Sequence, residues 1–115
     1  MARLTEPQTL FGRRLREARN RAGLPQDLLG VLVGIDETAS SARISRYETG
    51  AHAPAFMVTQ SLAKVLKVPA AYFYAEDDFV AEIILRLGRM ESDQRQRLLD
   101  AAIKILNESE QVESQ

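Results

Sequence analysis

The chain has no cysteine, and that removes disulfides, thiolate-ligated zinc and thiol chemistry from consideration. A cysteine-free chain also suits a reducing cytosol, so the expected location is cytoplasmic. The single histidine, His52, cannot make a metal centre or a hydrolytic site alone. No hydrophobic run approaches the length of a membrane span. Residues 1–7 hold no apolar signal region, so nothing there points to export. No Gly-rich phosphate loop follows a strand, and no spaced carboxylate pair stands in a recognisable frame. An enzyme is therefore not expected, nor a cofactor or a bound metal. No β-type alternation persists along the chain, which points to an all-α fold.

What is present fits one domain. The chain has 115 residues, 45% of them hydrophobic, enough to bury a core. Its net charge of -1 conceals an asymmetry. Residues 1–55 carry eight arginines against six acids, whereas residues 56–115 carry seven basic residues against ten acids. Arg13, Arg14, Arg16, Arg19 and Arg21 crowd one segment, and Arg43 and Arg46 follow. A locally basic half can meet phosphate while the whole chain stays soluble.

Hydrophobic spacing predicts seven helices. The first starts at Thr9 as N-cap, has Leu10, Phe11, Leu15, Ala18 and Ala22 on one side, and ends at Gly23. Leu24-Pro25 opens the second, with Leu29, Leu32 and Val33 inward, and Gly34 stops it. Ile35 to Ser40 reads as a connector, with Thr38 or Ser40 as cap of a third helix running to Glu48. Residues 50–54 form a loop. Phe56 to Leu66 is a fourth helix, with Phe56, Leu62, Ala63 and Leu66 inward. Val68-Pro69 begins a short fifth helix through Tyr74. Glu76-Asp77-Asp78 opens a sixth, as helix-start acids rather than a cation site. Ser92 caps the last, whose apolar stripe is Leu98, Leu99, Ala102, Ile103 and Leu106. Residues 1–8 read as a flexible arm and residues 108–115 as a disordered tail.

The most informative stretch runs from Ser41 to Gly50. Arg43 and Arg46 are three apart and share a helix face, extended by Ser45. Ile44 and Tyr47, also three apart, form an apolar face. Gly50 can take the left-handed conformation that ends a helix. A short helix with a packed back and an Arg/Ser front suits the major groove of DNA, where Arg pairs with guanine and Ser with any base. The first-helix arginines have two readings, contact with a nucleic-acid backbone or plain solvation. Tyr47, Tyr72, Phe73 and Tyr74 read as core or interface rather than base-stacking residues.

Helix, Gly, short helix, Gly, polar helix, Gly is the order of a helix-turn-helix inside a bundle. The chain resembles the lambda-repressor-like, or XRE-type, family of DNA-binding domains. The resemblance rests on Leu24-Pro25-Gln26-Asp27-Leu28-Leu29, on Ile44-Ser45-Arg46-Tyr47-Glu48-Thr49-Gly50, on Pro54, and on Leu62-Ala63-Lys64-Val65-Leu66-Lys67-Val68-Pro69. It implies a five-helix domain over residues 9–75, followed by two C-terminal helices over 76–107.

The resemblance implies a phosphate contact for Gln26 and base-edge positions for Ser41, Ala42 and Arg46. Arg43 and Ser45 flank these, at backbone or bases. It pairs Glu48 with an arginine of the first helix, by position Arg19, as a structural ion pair. One departure stands out. The run from Gly34 to Ile44 is about four residues longer than the family pattern. The extra residues, 36–40, either lengthen the turn or extend the third helix. Gly30 stands where the family favours Ala, and both are small enough for a close helix crossing.

The implied function is a sequence-specific transcriptional regulator that binds a double-stranded DNA operator as a homodimeric repressor. Phe79, Ile83, Leu87, Leu98, Ala102, Ile103 and Leu106 are the expected dimerisation residues. The second hypothesis is an antitoxin or adaptor whose main partner is another protein, bound by the acidic C-terminal helices.

Overall fold

The computed structural model describes residues 5–114. Residues 1–4 of the expected arm and residue 115 of the expected tail lie outside the described residues. Among the described residues there are six α-helices and one 3-10 turn, and no strand, as an all-α reading requires. The order is α1 (Leu10–Arg21), α2 (Gln26–Leu32), α3 (Glu37–Thr49), α4 (Phe56–Leu66), the 3-10 turn (Ala70–Tyr74), α5 (Asp78–Leu87) and α6 (Ser92–Ser114).

Thr9 caps α1 as its sequence position suggests, its hydroxyl accepting from the Gly12 N–H at 3.0 Å. Residues 5–8 of the expected arm are bonded to the domain. The Gln8 N–H donates to the Thr49 carbonyl at 3.1 Å, and the Thr5 carbonyl accepts from Arg16.

The connector expected from Ile35 to Ser40 is largely helix instead. Asp36, not Thr38 or Ser40, is the N-cap of α3, and its Oδ1 accepts from the Thr38 N–H at 2.9 Å. Aspartate is a stronger cap than threonine, and Glu37 adds an acid in the first turn where the helix dipole favours it. Four extra residues are about one helical turn, so the insertion lengthens α3 rather than the turn before it. Gly50 then ends α3 in the left-handed region at φ 90°.

Lengthening α3 places Ser40 on its buried face. The Ser40 hydroxyl donates to the Asp27 carbonyl. Its oxygen lies only 1.9 Å from where a Cβ on Gly30 would be. Gly30 is therefore tied to Ser40, and α2 crosses α3 at a distance that admits one small side chain, not two.

The core joins Leu15 and Ala18 of α1, Leu29 of α2, Ile44 and Tyr47 of α3, Leu62, Ala63 and Leu66 of α4, and Tyr72 and Phe73. Tyr74 stays exposed, although its ring lies 5.7 Å from that of Phe11. Leu32 and Ala22, expected inward, are also exposed. So is Phe56, at 65%. Phe56 is the first residue of α4, so its ring leans back over the loop before the helix rather than onto the core. Thr59, three before Leu62 and four before Ala63, takes the inward place and is fully buried. Its hydroxyl has no hydrogen-bond partner.

Arg14 joins α1 to the start of α5. It is 3% exposed, and its Nε and Nη2 donate to the Ala75 carbonyl at 3.0 and 2.8 Å. Nη2 also lies 3.0 Å from Asp78. Arg14, and after it Arg13, hold the Asp78 carboxyl below its usual 3.8. This contact is present above that pH and is lost as the pH falls through the lowered value. Asp77 caps α5, its Oδ1 accepting from the Phe79 N–H at 2.7 Å.

The chain divides into two compact units, one ending at Leu85 and one beginning at Arg86. Ala81 is buried and Asp78 is held by Arg14, both within the first unit. In the second unit, α6 continues to Ser114, through residues expected to be disordered. Glu and Gln are good helix formers, and no Gly or Pro interrupts that stretch. Among the described side chains of α6 only Leu98 is partly covered.

An unpartnered buried hydroxyl costs roughly 1–3 kcal/mol. Thr59→Val keeps the β-branched shape and removes that group. It is expected to raise unfolding free energy by about 1 kcal/mol, read as a higher urea midpoint at unchanged slope. An unchanged or lower midpoint would show that the hydroxyl is satisfied in solution.

Candidate nucleic-acid interface

The solvent side of α3 is set by what its other side must bury. Ser40, Ile44, Tyr47 and Glu48 are the inward residues of this helix. Successive residues turn by about 100°, which puts Ala42 opposite that buried line, with Ser45 and Arg46 beside it. Ser41 and Arg43 lie at the two edges. Ser41, Ala42, Arg43 and Arg46 are exposed, and Ser45 is half-buried. Among the described residues neither Arg43 nor Arg46 has an ion-pair partner, so both guanidinium groups face water.

Beneath this surface the Glu48 carboxylate is fully buried. The Arg19 Nη2 donates to its Oε1 at 3.1 Å, and the Arg19 Nε bonds its Oε2. Arg19 also donates to the Leu24 carbonyl at 2.9 Å, where α1 turns toward α2. A second arginine, Arg16, donates to Glu48 Oε1 at 3.0 Å. The Gln26 amide donates to the same oxygen at 3.1 Å. One carboxylate thus gathers side chains from α1 and α2 onto the end of α3. Burying a charge is tolerable only with partners of this kind.

This network revises two expectations. Arg14 and Arg16, read as backbone-contacting or solvated, are internal ties instead, Arg14 to Ala75 and Arg16 to Glu48. The sequence carried a signal for Arg14, which lies three residues after Phe11 and four before Ala18, on the apolar face of α1. Gln26, expected at phosphate, gives one amide hydrogen to Glu48. That leaves its second N–H for an outside acceptor.

Thr38, read from the sequence only as a candidate cap, lies inside α3 instead. It is exposed and lies four residues before Ala42, on the same face of α3. Its hydroxyl and then its N–H hold the Asp36 carboxyl below the ordinary aspartate value. The available signal was an aspartate placed to cap a helix one turn earlier.

The start of α4 adds a second feature on the first unit. Ala55 supplies no side-chain cap, and no acid occupies the first turn. The amide end of this helix is therefore not balanced by a local negative charge. Among the described residues no group of three or more titratable side chains could hold a metal ion. Among them, too, no helix is long and apolar enough to cross a membrane.

Removing a partner from a buried ion pair costs roughly 3–5 kcal/mol. Glu48→Ala is therefore expected to lower unfolding free energy by about that amount. Arg46→Ala, at an exposed position, is expected to stay within about 0.5 kcal/mol of the parent. Parallel thermal and denaturant melts check both. Equal effects would contradict the division of α3 into a structural and a free face.

A helix-turn-helix domain model matches residues 10–72. Among solved structures, the crystal structure of transcriptional regulator BswR aligns with a TM-score of 0.79 at 41% sequence identity. The alignment covers 84% of this chain and 95% of that one. No curated protein sequence matches the chain. The helix-glycine order, the Glu48 network and these two likenesses agree, and the chain belongs to the helix-turn-helix domain family.

Proposed function

We propose that this chain is a sequence-specific, double-stranded DNA-binding transcriptional regulator that acts as a homodimeric repressor. The observation that carries the reading is the free face of α3, on a helix whose opposite face is pinned by a buried carboxylate. Arg46 and Ala42 sit near the centre of that face, where an arginine pairs with guanine and an alanine meets a thymine methyl. Ser41 and Ser45 hydrogen-bond bases or phosphates. Arg43, at the edge, meets phosphate. Gln26, with the N–H that Glu48 does not use, and the uncapped start of α4 meet the backbone on either side. The likeness to a protein described as a transcriptional regulator supports the same reading.

Dimerisation is proposed through the C-terminal helices. Phe79 and Ile83 of α5 are exposed, and Leu87 is half-buried. In the second unit Leu99, Ala102, Ile103 and Leu106 of α6 are exposed, with Leu98 half-buried. A helix with so much uncovered apolar surface gains by pairing with a second copy. A two-fold dimer reads two half-sites about one helical turn apart, roughly 34 Å. A dimer seated on both half-sites covers the DNA between them, and that occupancy is the proposed means of repression.

Selection from a random double-stranded DNA pool tests the reading. The expected winner is a roughly palindromic site whose affinity falls steeply with salt. Arg46→Ala is expected to lose roughly 1–3 kcal/mol of discrimination at one position of each half-site. Ile103→Glu is expected to shift sedimentation toward the monomer. No enriched site, or a monomeric parent, would remove the corresponding half of the proposal.

A further inference from the structure

The extra turn of α3 changes what the helix can read. Its outer face does not begin at Ser41. Thr38, Ala42, Ser45 and Thr49 follow at spacings of four, three and four, with Arg46 beside them, and form one continuous stripe opposite the buried residues. Thr38 lies about 6 Å nearer the N-terminal end than Ala42. In helix-turn-helix docking the N-terminal part of the second helix meets the base edges. The extension therefore adds a side chain at the leading end of the reading surface.

The chemistry of that side chain is constrained. The Thr38 hydroxyl donates its hydrogen to Asp36 Oδ1 at 2.7 Å, and the Thr38 N–H donates to the same oxygen at 2.9 Å. A hydroxyl has one hydrogen and two lone pairs. With the hydrogen engaged by a carboxylate, a charge-assisted bond, the oxygen faces outward as an acceptor only. In the major groove the donors are the amino groups of adenine N6 and cytosine N4, whereas guanine and thymine present acceptor oxygens. The Asp36 carboxylate acts in the same sense, since its charge disfavours an acceptor nearby.

Resting on the DNA-reading function proposed above, we infer that Thr38 is a further specificity-determining residue. It selects adenine or cytosine over guanine or thymine at one position of the contacted strand, beyond the bases that Ala42 and Arg46 meet. Asp36 is its positioning residue, which fixes the hydroxyl as an acceptor.

The test is a set of parallel selections from one random duplex pool, using the full chain and the variants Thr38→Val and Thr38→Ser. Valine keeps the β-branched shape and the backbone N–H to Asp36 but removes the acceptor. Serine keeps the acceptor. The parent is expected to prefer A or C over G or T about tenfold at one position. Thr38→Val is expected to lose that preference there and nowhere else, and Thr38→Ser to retain it. Melting curves of the variants separate a change in base choice from a change in folding. A Thr38→Val pool identical to the parent's at every position overturns the inference while leaving the operator-binding function standing. So does loss of the preference in a stably folded Thr38→Ser. A parent that enriches no site removes both.

Discussion

The carboxylate of Glu48 is fully buried, and three helices meet on it. Arg16 and Arg19 arrive from α1, Gln26 from the start of α2, and Glu48 itself stands near the end of α3. A charge in that place is unfavourable without partners and strongly held with them. The arrangement therefore selects one mutual placement of the helices. It does so with hydrogen bonds of defined direction, which apolar packing alone does not have. The Gly50 turn after it and the Leu24 carbonyl that also accepts from Arg19 extend the same constraint to both ends of the motif.

Internal pinning has a counterpart outside. Because Ser40, Ile44, Tyr47 and Glu48 take one side of α3, the other side is defined without any contact of its own. Arg43 and Arg46 are left to water, on the half of the chain where basic residues are in surplus. Two acids, Asp36 and Glu37, stand at the start of that same helix, and three more, Glu76, Asp77 and Asp78, gather at the start of α5, where Asp77 caps the helix and Asp78 meets Arg14. The distribution of charge thus follows from which groups the fold uses internally. Net charge alone gives no hint of it.

Much of this was legible in the residues. Thr9, Gly50, the Ile44–Tyr47 pair and the terminal apolar stripe marked the helices, because capping and 3.6-residue spacing are local properties. At Arg14 the reading failed because the deciding partners were distant in sequence; the other misses turned on local detail. Arg14 looks like one more charge in a basic run until Ala75 and Asp78 are brought to it. Phe56 looks like core by type, but it stands at the very start of α4, and Thr59 one turn on is the buried residue. Residues 36–40 look like a loop by polarity, yet an aspartate cap converts them into a turn of helix. The tail is similar: polarity suggested disorder, while helix-forming residues without a breaker carry α6 onward.

The contact between Gly30 and Ser40 has a consequence for how this sequence can change. A Cβ at position 30 would fall 1.9 Å from the serine oxygen and 3.0 Å from the Cα of the same residue. The serine side chain is the main obstacle, and because the backbone is also tight, trimming Ser40 clears only part of the space. Trimming it to alanine or glycine also removes the bond to the Asp27 carbonyl. Neither position can move first without loss: the glycine is blocked by the serine, and the serine is retained for its bond. The two positions therefore change together or not at all, and the added turn of α3 is bound to a glycine in α2.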